Sequence, residues 1–114
     1  MTRIGDADQM NLSTHVLDAT TGQPAVGIAV TLSLAGVVIA ADVTDDDGRI
    51  AALGTDLAAG VYRLRFDTAA YFAAHNITGF YPEVLITFDI TDAASHFHVP
   101  LLLSPYAYST YRGS

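Results

Sequence analysis

The segment VGIAVTLSL, residues 26–34, alternates large apolar side chains with small or polar ones along its whole length. This period of two is that of an extended strand with one buried face, because successive side chains of a strand point to opposite sides. The same alternation recurs in YRLRFD at 62–67 and in VLITFDI at 84–90. The pattern predicts that β-strands make up most of the structure.

Turn-forming residues separate the predicted strands, at TGQP (21–24), DDDG (45–48) and AG (59–60). One segment, Thr68 to His75, favours a helix because it is rich in alanine, and Thr68 is placed to cap its N-terminus. We therefore expect an all-β fold, a two-sheet sandwich of seven or eight strands with one short helix.

The length of the chain, 114 residues, is that of a single domain. We expect a flexible N-terminal segment at residues 1–10 and one β-sandwich domain at residues 11–114. Twelve acidic and five basic residues give a net charge of −7. Because nucleic acids and anionic membranes are bound through clusters of Lys and Arg, this balance disfavours both as partners.

Hydrophobic residues make up 51% of the chain and charged residues 15%, against about 25% charged in a typical soluble domain. Some apolar surface is therefore expected to be buried against other copies of the chain. The chain has no cysteine, which excludes a disulfide framework and thiolate chemistry and fits a cytoplasmic location. The polar start of the chain, without the apolar run of a secretory signal, leads to the same expectation.

The segment from His96 to the C-terminus carries the most informative pattern. In the run HFHVPLLL, Phe97 falls on the face of the apolar core, whereas His96 and His98 fall on the other face together with Leu102. An outward leucine beside two histidines indicates a pocket or an interface. His15 takes a corresponding outward position on the first predicted strand.

Each outward histidine has a structural alternative, since a lone strand histidine is often a surface or hydrogen-bonded residue. A zinc site is a second alternative for His96 and His98, because two imidazoles at this spacing can reach one ion. No third ligand accompanies the pair in the sequence, and we expect no metal. A carboxylate at Asp18 could orient the His15 imidazole or belong to the turn that follows.

Arg49 comes directly after the acidic turn at 45–48. Its structural alternative is a solvated arginine that neutralises the turn, an arrangement that contributes little stability. The turn resembles part of a calcium loop, but the spacing and the terminal Glu of an EF-hand are missing, so we interpret it as a hairpin turn. Near the end of the chain, Tyr111 and Arg112 add a phenol and a guanidinium.

Four blocks of the sequence resemble one family closely, the 5-hydroxyisourate hydrolases, which are the transthyretin-related enzymes of purine degradation. The blocks are LSTHVLD at 12–18, DDGRI at 46–50, HFHVPLLLSP at 96–105 and YSTYRGS at 108–114. The resemblance covers nearly the whole chain, and the ending YRGS at a fixed distance after the His-x-His strand makes it specific. Where the family more often has Tyr, this chain has Phe97. Because Phe97 faces the core, the change is expected to leave the chemistry intact.

The resemblance implies a transthyretin-like sandwich assembled as a homotetramer, a dimer of dimers with the active sites in the channel between the dimers. It implies hydrolysis of the small molecule 5-hydroxyisourate to 2-oxo-4-hydroxy-4-carboxy-5-ureidoimidazoline in urate degradation, without a cofactor. The catalytic residues it implies are His15, Arg49 and His98. The substrate-binding residues it implies are His15, Arg49, Tyr111 and Ser114, and the supporting residues are His96, Arg112 and Gly113.

Opening a cyclic amide with water requires a base, a group that stabilises the developing oxyanion and an acid for the leaving nitrogen. We expect the neutral imidazole of His98 to deprotonate the water and the Arg49 guanidinium to hold the substrate oxygens. His15 either positions the water or protonates the leaving nitrogen, and the sequence leaves both roles open.

Two non-catalytic classes of protein share part of the pattern, namely prealbumin-like structural modules and transthyretin-like carriers of small ligands. The blocks TGQPAVG (21–27) and GVY (60–62) resemble such modules in general, so they support the fold and not the enzyme. His15, Arg49, His98 and the YRGS ending favour the enzyme, because a spacer module requires none of them.

Overall fold

The computed structural model describes residues 11–113. In this range the chain forms nine strands and one helix. The strands are β1 (Leu12–Asp18), β2 (Gln23–Pro24), β3 (Ala29–Leu34), β4 (Val37–Val43), β5 (Arg49–Ile50), β6 (Gly60–Phe66), β7 (Val84–Ile90), β8 (Phe97–Leu103) and β9 (Tyr108–Thr110), and the helix is α1 (Thr68–Ala74). The predicted flexible segment at residues 1–10 and the C-terminal Ser114 lie outside the described residues.

The strands form two sheets, which confirms the predicted two-sheet sandwich. The first sheet has the order β2-β1-β8-β9, with β5 also paired to β1, and the second has the order β4-β3-β6-β7. β1 and β8 run parallel, and the other neighbours run antiparallel. The strand count exceeds the predicted seven or eight because β2 and β5 have two residues each, too few for an alternating pattern to be recognised.

The alternation at 26–34 describes the buried face correctly in its centre but not at its two ends. Ile28, Val30 and Leu32 are fully buried in the core between the sheets, whereas Val26 is 44% exposed and Leu34 is 38% exposed. At the start of the segment there is a backbone reason. The cause is Gly27, whose φ of 84° is in the left-handed region and turns the chain before β3 begins.

The helix lies where the sequence predicts it, but the predicted cap at Thr68 is wrong. Asp67 occupies the N-cap position, and its carboxylate accepts a hydrogen bond from the backbone N–H of Ala70. Thr68 is the first helical residue, and its buried hydroxyl donates to the carbonyl of Tyr81. Because the helix begins at Thr68 itself, the capping side chain is that of the residue before it.

Asp18, at the end of β1, is buried and connects the first sheet to α1. Its carboxylate accepts hydrogen bonds from the backbone N–H of Thr20 at 3.0 Å and from the Tyr71 hydroxyl at 2.9 Å. Burial and the bond to Asp18 raise the pKa of Tyr71 to about 12. The Asp18 carboxylate therefore belongs to the turn and the helix contact, while His15, three residues earlier, projects from the opposite side of β1.

Replacing Tyr71 with phenylalanine is expected to lower the free energy of unfolding by about 1.5–3 kcal/mol, because the buried Asp18 carboxylate loses a hydrogen-bond donor. Urea denaturation of both proteins at pH 7 measures the difference. Since the pKa of Tyr71 is raised from 10.0 to about 12, the stabilisation in the wild type is present below pH 10 and is lost as the pH rises through 12. An unchanged unfolding midpoint in Tyr71→Phe would contradict this role.

Candidate active site

Three strands of the first sheet bring polar side chains to one outer face. β5 lies along one edge of β1 and pairs Arg49 with His15, and β8 lies along the other edge and pairs His98 with Ser13. Directly paired residues of neighbouring strands project to the same side of a sheet, and so do residues two apart on one strand. His15, Arg49 and His98, which are far apart in sequence, therefore share one surface.

A cleft of about 290 Å³ opens on this face. Arg49 borders it from β5, His98 borders it from β8, and Ser13 of β1 lies between them. The complete lining is formed by Ser13, Thr14, Arg49, Ile50, Ala51, His96 and His98. His15 is half-buried beside Arg49 in the strand register and contributes to the electrostatics of the cleft rather than to its lining.

The acidic turn before β5 places Arg49 against β1. The Asp45 carboxylate accepts hydrogen bonds from the backbone N–H of Arg49 and of Asp47, each at 2.9 Å. The bond from Arg49, and to a lesser extent that from Asp47, holds the pKa of Asp45 below its usual value. The carbonyl of Gly48 accepts from the N–H of Val16 at 2.7 Å. The predicted turn is present, but it is not a hairpin, because it joins β4 of the second sheet to β5 of the first. The turn brings Arg49 to the cleft.

Replacing Gly48 with alanine is expected to lower the free energy of unfolding by about 1–3 kcal/mol and to displace Arg49. The φ of Gly48 is 72°, and an added Cβ would collide with the carbonyl oxygen of Val16. Gly22 is a matched control, since it has a φ of 74° but open space around an added Cβ. Urea denaturation should therefore show a larger loss for Gly48→Ala than for Gly22→Ala, and equal losses would contradict the collision.

His98 is a half-buried imidazole with one nitrogen already engaged. Its Nδ1 is 2.8 Å from Oγ of Ser13, so Nε2 is the ring nitrogen that Ser13 does not engage. Burial lowers the pKa of His98 below its usual value, and nearby positive charge lowers it further, first from Arg49 and then from His15 and His96. A hydrogen bond with the backbone of Ser13 acts in the opposite direction. The environment therefore favours a neutral imidazole, which is the form a general base requires.

His96 lies on the exposed side of the same cluster. Its Nε2 is 2.9 Å from the Ser13 Oγ that also contacts His98, so the two rings converge on a serine hydroxyl. Within residues 11–113, no group of three or more His, Cys, Asp or Glu side chains is arranged to hold a metal ion. The absence of a metal cofactor stays a prediction that a chelator experiment can test.

The C-terminal segment returns to β8 and contacts His98 directly. The backbone N–H of Gly113 donates to the carbonyl of His98 at 2.8 Å, and the position of the glycine Cα leaves no room for a side chain beside the imidazole. Arg112 turns away and lies over the ring of Phe97, with its guanidinium carbon 4.6 Å from the ring centroid. Phe97 is 3% exposed, which confirms that it faces the core.

Tyr111 and Arg112 line a second cavity, of about 250 Å³, on the other side of His98. Phe88 and Phe97 belong to its largely apolar lining. The single chain therefore brings Gly113 to His98 but does not place Tyr111 or Arg112 in the cleft beside Arg49. Ser114, predicted to bind substrate, lies outside the described residues.

Sequence reasoning missed Ser13 as a member of the site. Its signal was available, because Ser13 shares the outward parity of His15, two residues later on β1. The parallel register that puts Ser13 beside His98 is a property of the folded sheet and is not encoded in the local pattern of either strand.

Comparisons with known proteins agree with this architecture. The model of the HIUase/Transthyretin family matches residues 12–113. A 5-hydroxyisourate hydrolase of Salmonella dublin is 46% identical over 109 residues, which cover 90% of this chain and 80% of that protein. The solved structure of Klebsiella pneumoniae 5-hydroxyisourate hydrolase has a TM-score of 0.85 and 44% identity, covering 90% of this chain and 98% of that one. Sea bream transthyretin in complex with thyroxine has a TM-score of 0.84 and 37% identity, covering 90% and 93%. The chain belongs to the HIUase/Transthyretin family.

Proposed function

We propose that the chain is an enzyme that hydrolyses 5-hydroxyisourate to 2-oxo-4-hydroxy-4-carboxy-5-ureidoimidazoline, a step of urate degradation. The observation that carries the proposal is the convergence of His15, Arg49 and His98 on one face of the first sheet. Named 5-hydroxyisourate hydrolases with 46% and 44% identity support the same activity. A carrier such as transthyretin has no need of a neutral, half-buried imidazole next to a fixed positive charge.

The reaction adds one water molecule to a cyclic amide. The water oxygen forms a bond to a ring carbonyl carbon, its proton passes to a base, and the carbonyl oxygen takes on negative charge. The carbon–nitrogen bond of the ring then breaks, and the leaving nitrogen takes up a proton. The site must therefore supply a base, a positive charge near the oxyanion and an acid.

We assign these roles from the geometry of the cleft. His98 is the base, acting through Nε2, because Nδ1 is engaged by Ser13 and the lowered pKa keeps the ring neutral. Arg49 stabilises the oxyanion with its guanidinium, which can also hold a second substrate oxygen. His15, the neighbour of Arg49 across the β1–β5 pair, lies beside the cleft and outside its lining, and it keeps two candidate roles, protonating the leaving nitrogen or positioning the water. The family resemblance, rather than the cleft, assigns Tyr111 and Ser114 to substrate binding and His96, Arg112 and Gly113 to supporting positions.

Replacing Gly113 with alanine is expected to lower kcat by about tenfold or more, within the range that a displaced general base can cost. The backbone conformation of Gly113 accepts alanine, but the new Cβ would lie 2.5 Å from Cδ2 of the His98 ring and would push it away. Rate measurements on Gly113→Ala test this. Gly36→Ala is the control for kcat, because alanine is strained at the φ of 81° but its Cβ meets no other atom and Gly36 does not line the cleft. A fully active Gly113→Ala protein would contradict the contact.

We further propose that the protein is a homotetramer, a dimer of dimers. β7 and β9 are the last strands of their sheets, and such edges readily pair with another chain. Large aromatic side chains are exposed nearby, with Phe80 at 67% and Tyr106 at 70%, and exposed apolar groups close to a sheet edge favour contact with another chain. Light scattering should give four times the chain mass of 12.1 kDa, and a monomer would refute the assembly.

A cytoplasmic location is proposed because a chain without cysteine gains nothing from an oxidising compartment. Within residues 11–113, no helix is long and apolar enough to span a membrane. Fractionation of cells expressing the protein from its own gene tests the location, and recovery outside the cytoplasm would refute it.

The activity is tested by generating 5-hydroxyisourate with urate oxidase and following its decay after adding purified protein, with and without a chelator. The proposal predicts catalytic decay that the chelator does not slow, since no step uses a metal. Binding of a stable purine analogue without accelerated decay would favour a carrier and refute the enzyme. Loss of activity on chelation would refute the metal-free mechanism.

A further inference from the structure

The hydroxyl of Ser13 lies between two imidazoles. Ser13 is 8% exposed, and its Oγ is 2.8 Å from Nδ1 of His98 and 2.9 Å from Nε2 of His96. A hydroxyl has a single hydrogen, so it donates to one of these nitrogens and accepts an N–H from the other. The proton positions on His96 and His98 are therefore coupled through Ser13.

Two arrangements satisfy both hydrogen bonds. In the first, Ser13 donates to Nδ1 of His98, so that neutral His98 carries its proton on Nε2 and has no lone pair there to accept another. In the second, Ser13 accepts from the Nδ1–H of His98 and donates to Nε2 of His96. Only the second leaves Nε2 of His98 as a proton acceptor.

We propose that Ser13 is a positioning residue for hydrolysis, holding His98 in the Nδ1–H tautomer while donating its own hydrogen to His96. The inference rests on the proposed function and adds the reason why Nε2 is the reactive atom. When Nε2 takes a proton from water, His98 becomes an imidazolium and a hydroxide equivalent adds to the carbonyl carbon. The Nδ1–H bond to Ser13 is kept throughout, so the step requires no rearrangement of the cluster.

The charges around the pair fit this arrangement. Arg49 carries a fixed positive charge next to His98, and His15 and His96 are the other titratable groups that act on it. These groups disfavour a proton on His98 before the reaction, whereas the hydrogen bond with the Ser13 backbone favours it. The cluster thus keeps His98 neutral while the hydroxyl selects which nitrogen is free.

The tautomer is measured directly, without substrate, by nitrogen NMR on protein labelled with ¹⁵N-histidine at a pH where His98 is neutral. The proposal predicts a protonated Nδ1 and an unprotonated Nε2 in the wild type. In Ser13→Ala the His98 population should shift toward the Nε2–H form, because the acceptor for its Nδ1–H is missing. In His96→Ala it should shift the same way, because the partner that receives the hydrogen of Ser13 is missing. An Nε2–H form in the wild type, or an unchanged tautomer in both variants, would overturn the proposal.

Kinetics provide the second readout. Ser13→Ala is expected to lower kcat by about 10–100-fold, part of the contribution of a general base, with a smaller change in KM. The acid limb of kcat/KM should also move to lower pH, because the imidazolium loses the acceptor for its Nδ1–H. Ser13→Thr, which keeps the hydroxyl, should restore most of kcat. A wild-type kcat and pH profile in Ser13→Ala would overturn the proposal.

Ser33→Ala is the matched control, since Ser33 is a strand serine whose hydroxyl bonds to a backbone carbonyl on the second sheet. It should leave both the tautomer and kcat unchanged, and equal losses in the two variants would overturn a specific role for Ser13. If the wild type itself does not hydrolyse 5-hydroxyisourate, the proposed function fails. The NMR measurement still decides which nitrogen of His98 carries the proton.

Discussion

Replacing His98 with alanine is expected to lower kcat by a factor of about 10²–10⁴, the contribution typical of a positioned general base. The variant removes the imidazole but keeps the backbone carbonyl that accepts from the N–H of Gly113, so the C-terminal segment retains its attachment. KM should change less than kcat, because the charge of Arg49 remains available to the substrate. Stopped-flow absorbance of enzymatically generated 5-hydroxyisourate measures both constants.

His75→Ala is the control for this variant. His75 lies at the C-terminal end of α1, and its Nδ1 contacts the backbone carbonyl of Tyr71, outside the cleft. The same substitution there should leave kcat unchanged. Wild-type turnover in His98→Ala would contradict the assignment of the base, and an equal loss in His75→Ala would point to the fold rather than to the chemistry.

The pH dependence of kcat/KM is a second test of His98 as the base. The pKa of His98 lies below its usual value of 6.5, so the neutral base persists below that pH. The acid limb of kcat/KM should accordingly have its midpoint below 6.5, and it should disappear in His98→Ala. A limb centred above this value in the wild type would show that the burial and charge around His98 do not act as described.

Replacing Arg49 with alanine is expected to lower kcat by about 10²–10³, the loss seen when an oxyanion donor is removed. Arg49→Lys should recover only part of this, because lysine keeps the charge but not the planar pair of N–H groups. Removing the cation should also raise the pKa of His98 toward its usual value, which shifts the acid limb of kcat/KM to higher pH. Initial rates between pH 5 and 8 test both effects.

Arg63 offers the matched control for Arg49. It is an exposed strand arginine on the second sheet, where its Nε donates to Oγ1 of Thr87. Arg63→Ala should change neither kcat nor the pH profile. If Arg49→Ala kept the wild-type rate, the account of oxyanion stabilisation would be wrong. A loss in Arg63→Ala as large as that in Arg49→Ala would show that the effect is not specific to Arg49.

The fold was largely predictable because its strands have strong period-two alternation. The buried positions of β6, such as Leu64 and Phe66, follow directly from that pattern. β2 and β5 were not predictable as strands, since each is defined by two residues paired to β1. The helix cap was misplaced by one residue, because Asp67 and Thr68 are both residue types that cap helices and only the structure shows that Asp67 accepts from Ala70 while Thr68 bonds to the distant carbonyl of Tyr81.

The site was predictable in composition but not in arrangement. Parity alone placed His15 and His98 on outward faces, and family resemblance selected Arg49 from the exposed arginines. The coupling of His98 to His96 through Ser13 depends on a parallel pairing of β1 with β8 across more than 80 residues. The pattern of a strand fixes the face that each residue takes, but it does not say which strand lies beside it. Tyr111 was predicted to bind substrate and stays a proposal, because in one chain it lines the cavity on the far side of His98.

The central claim is that His15, Arg49 and His98 form one hydrolytic site. Its most direct test is the initial rate of 5-hydroxyisourate decay, with substrate in large excess, for the wild type beside the triple alanine variant of these residues. The account predicts many turnovers per chain for the wild type and decay at the rate of buffer alone for a triple variant that circular dichroism shows to be folded. Wild-type protein that does not exceed the buffer rate, or a triple variant that keeps the wild-type rate, would contradict it.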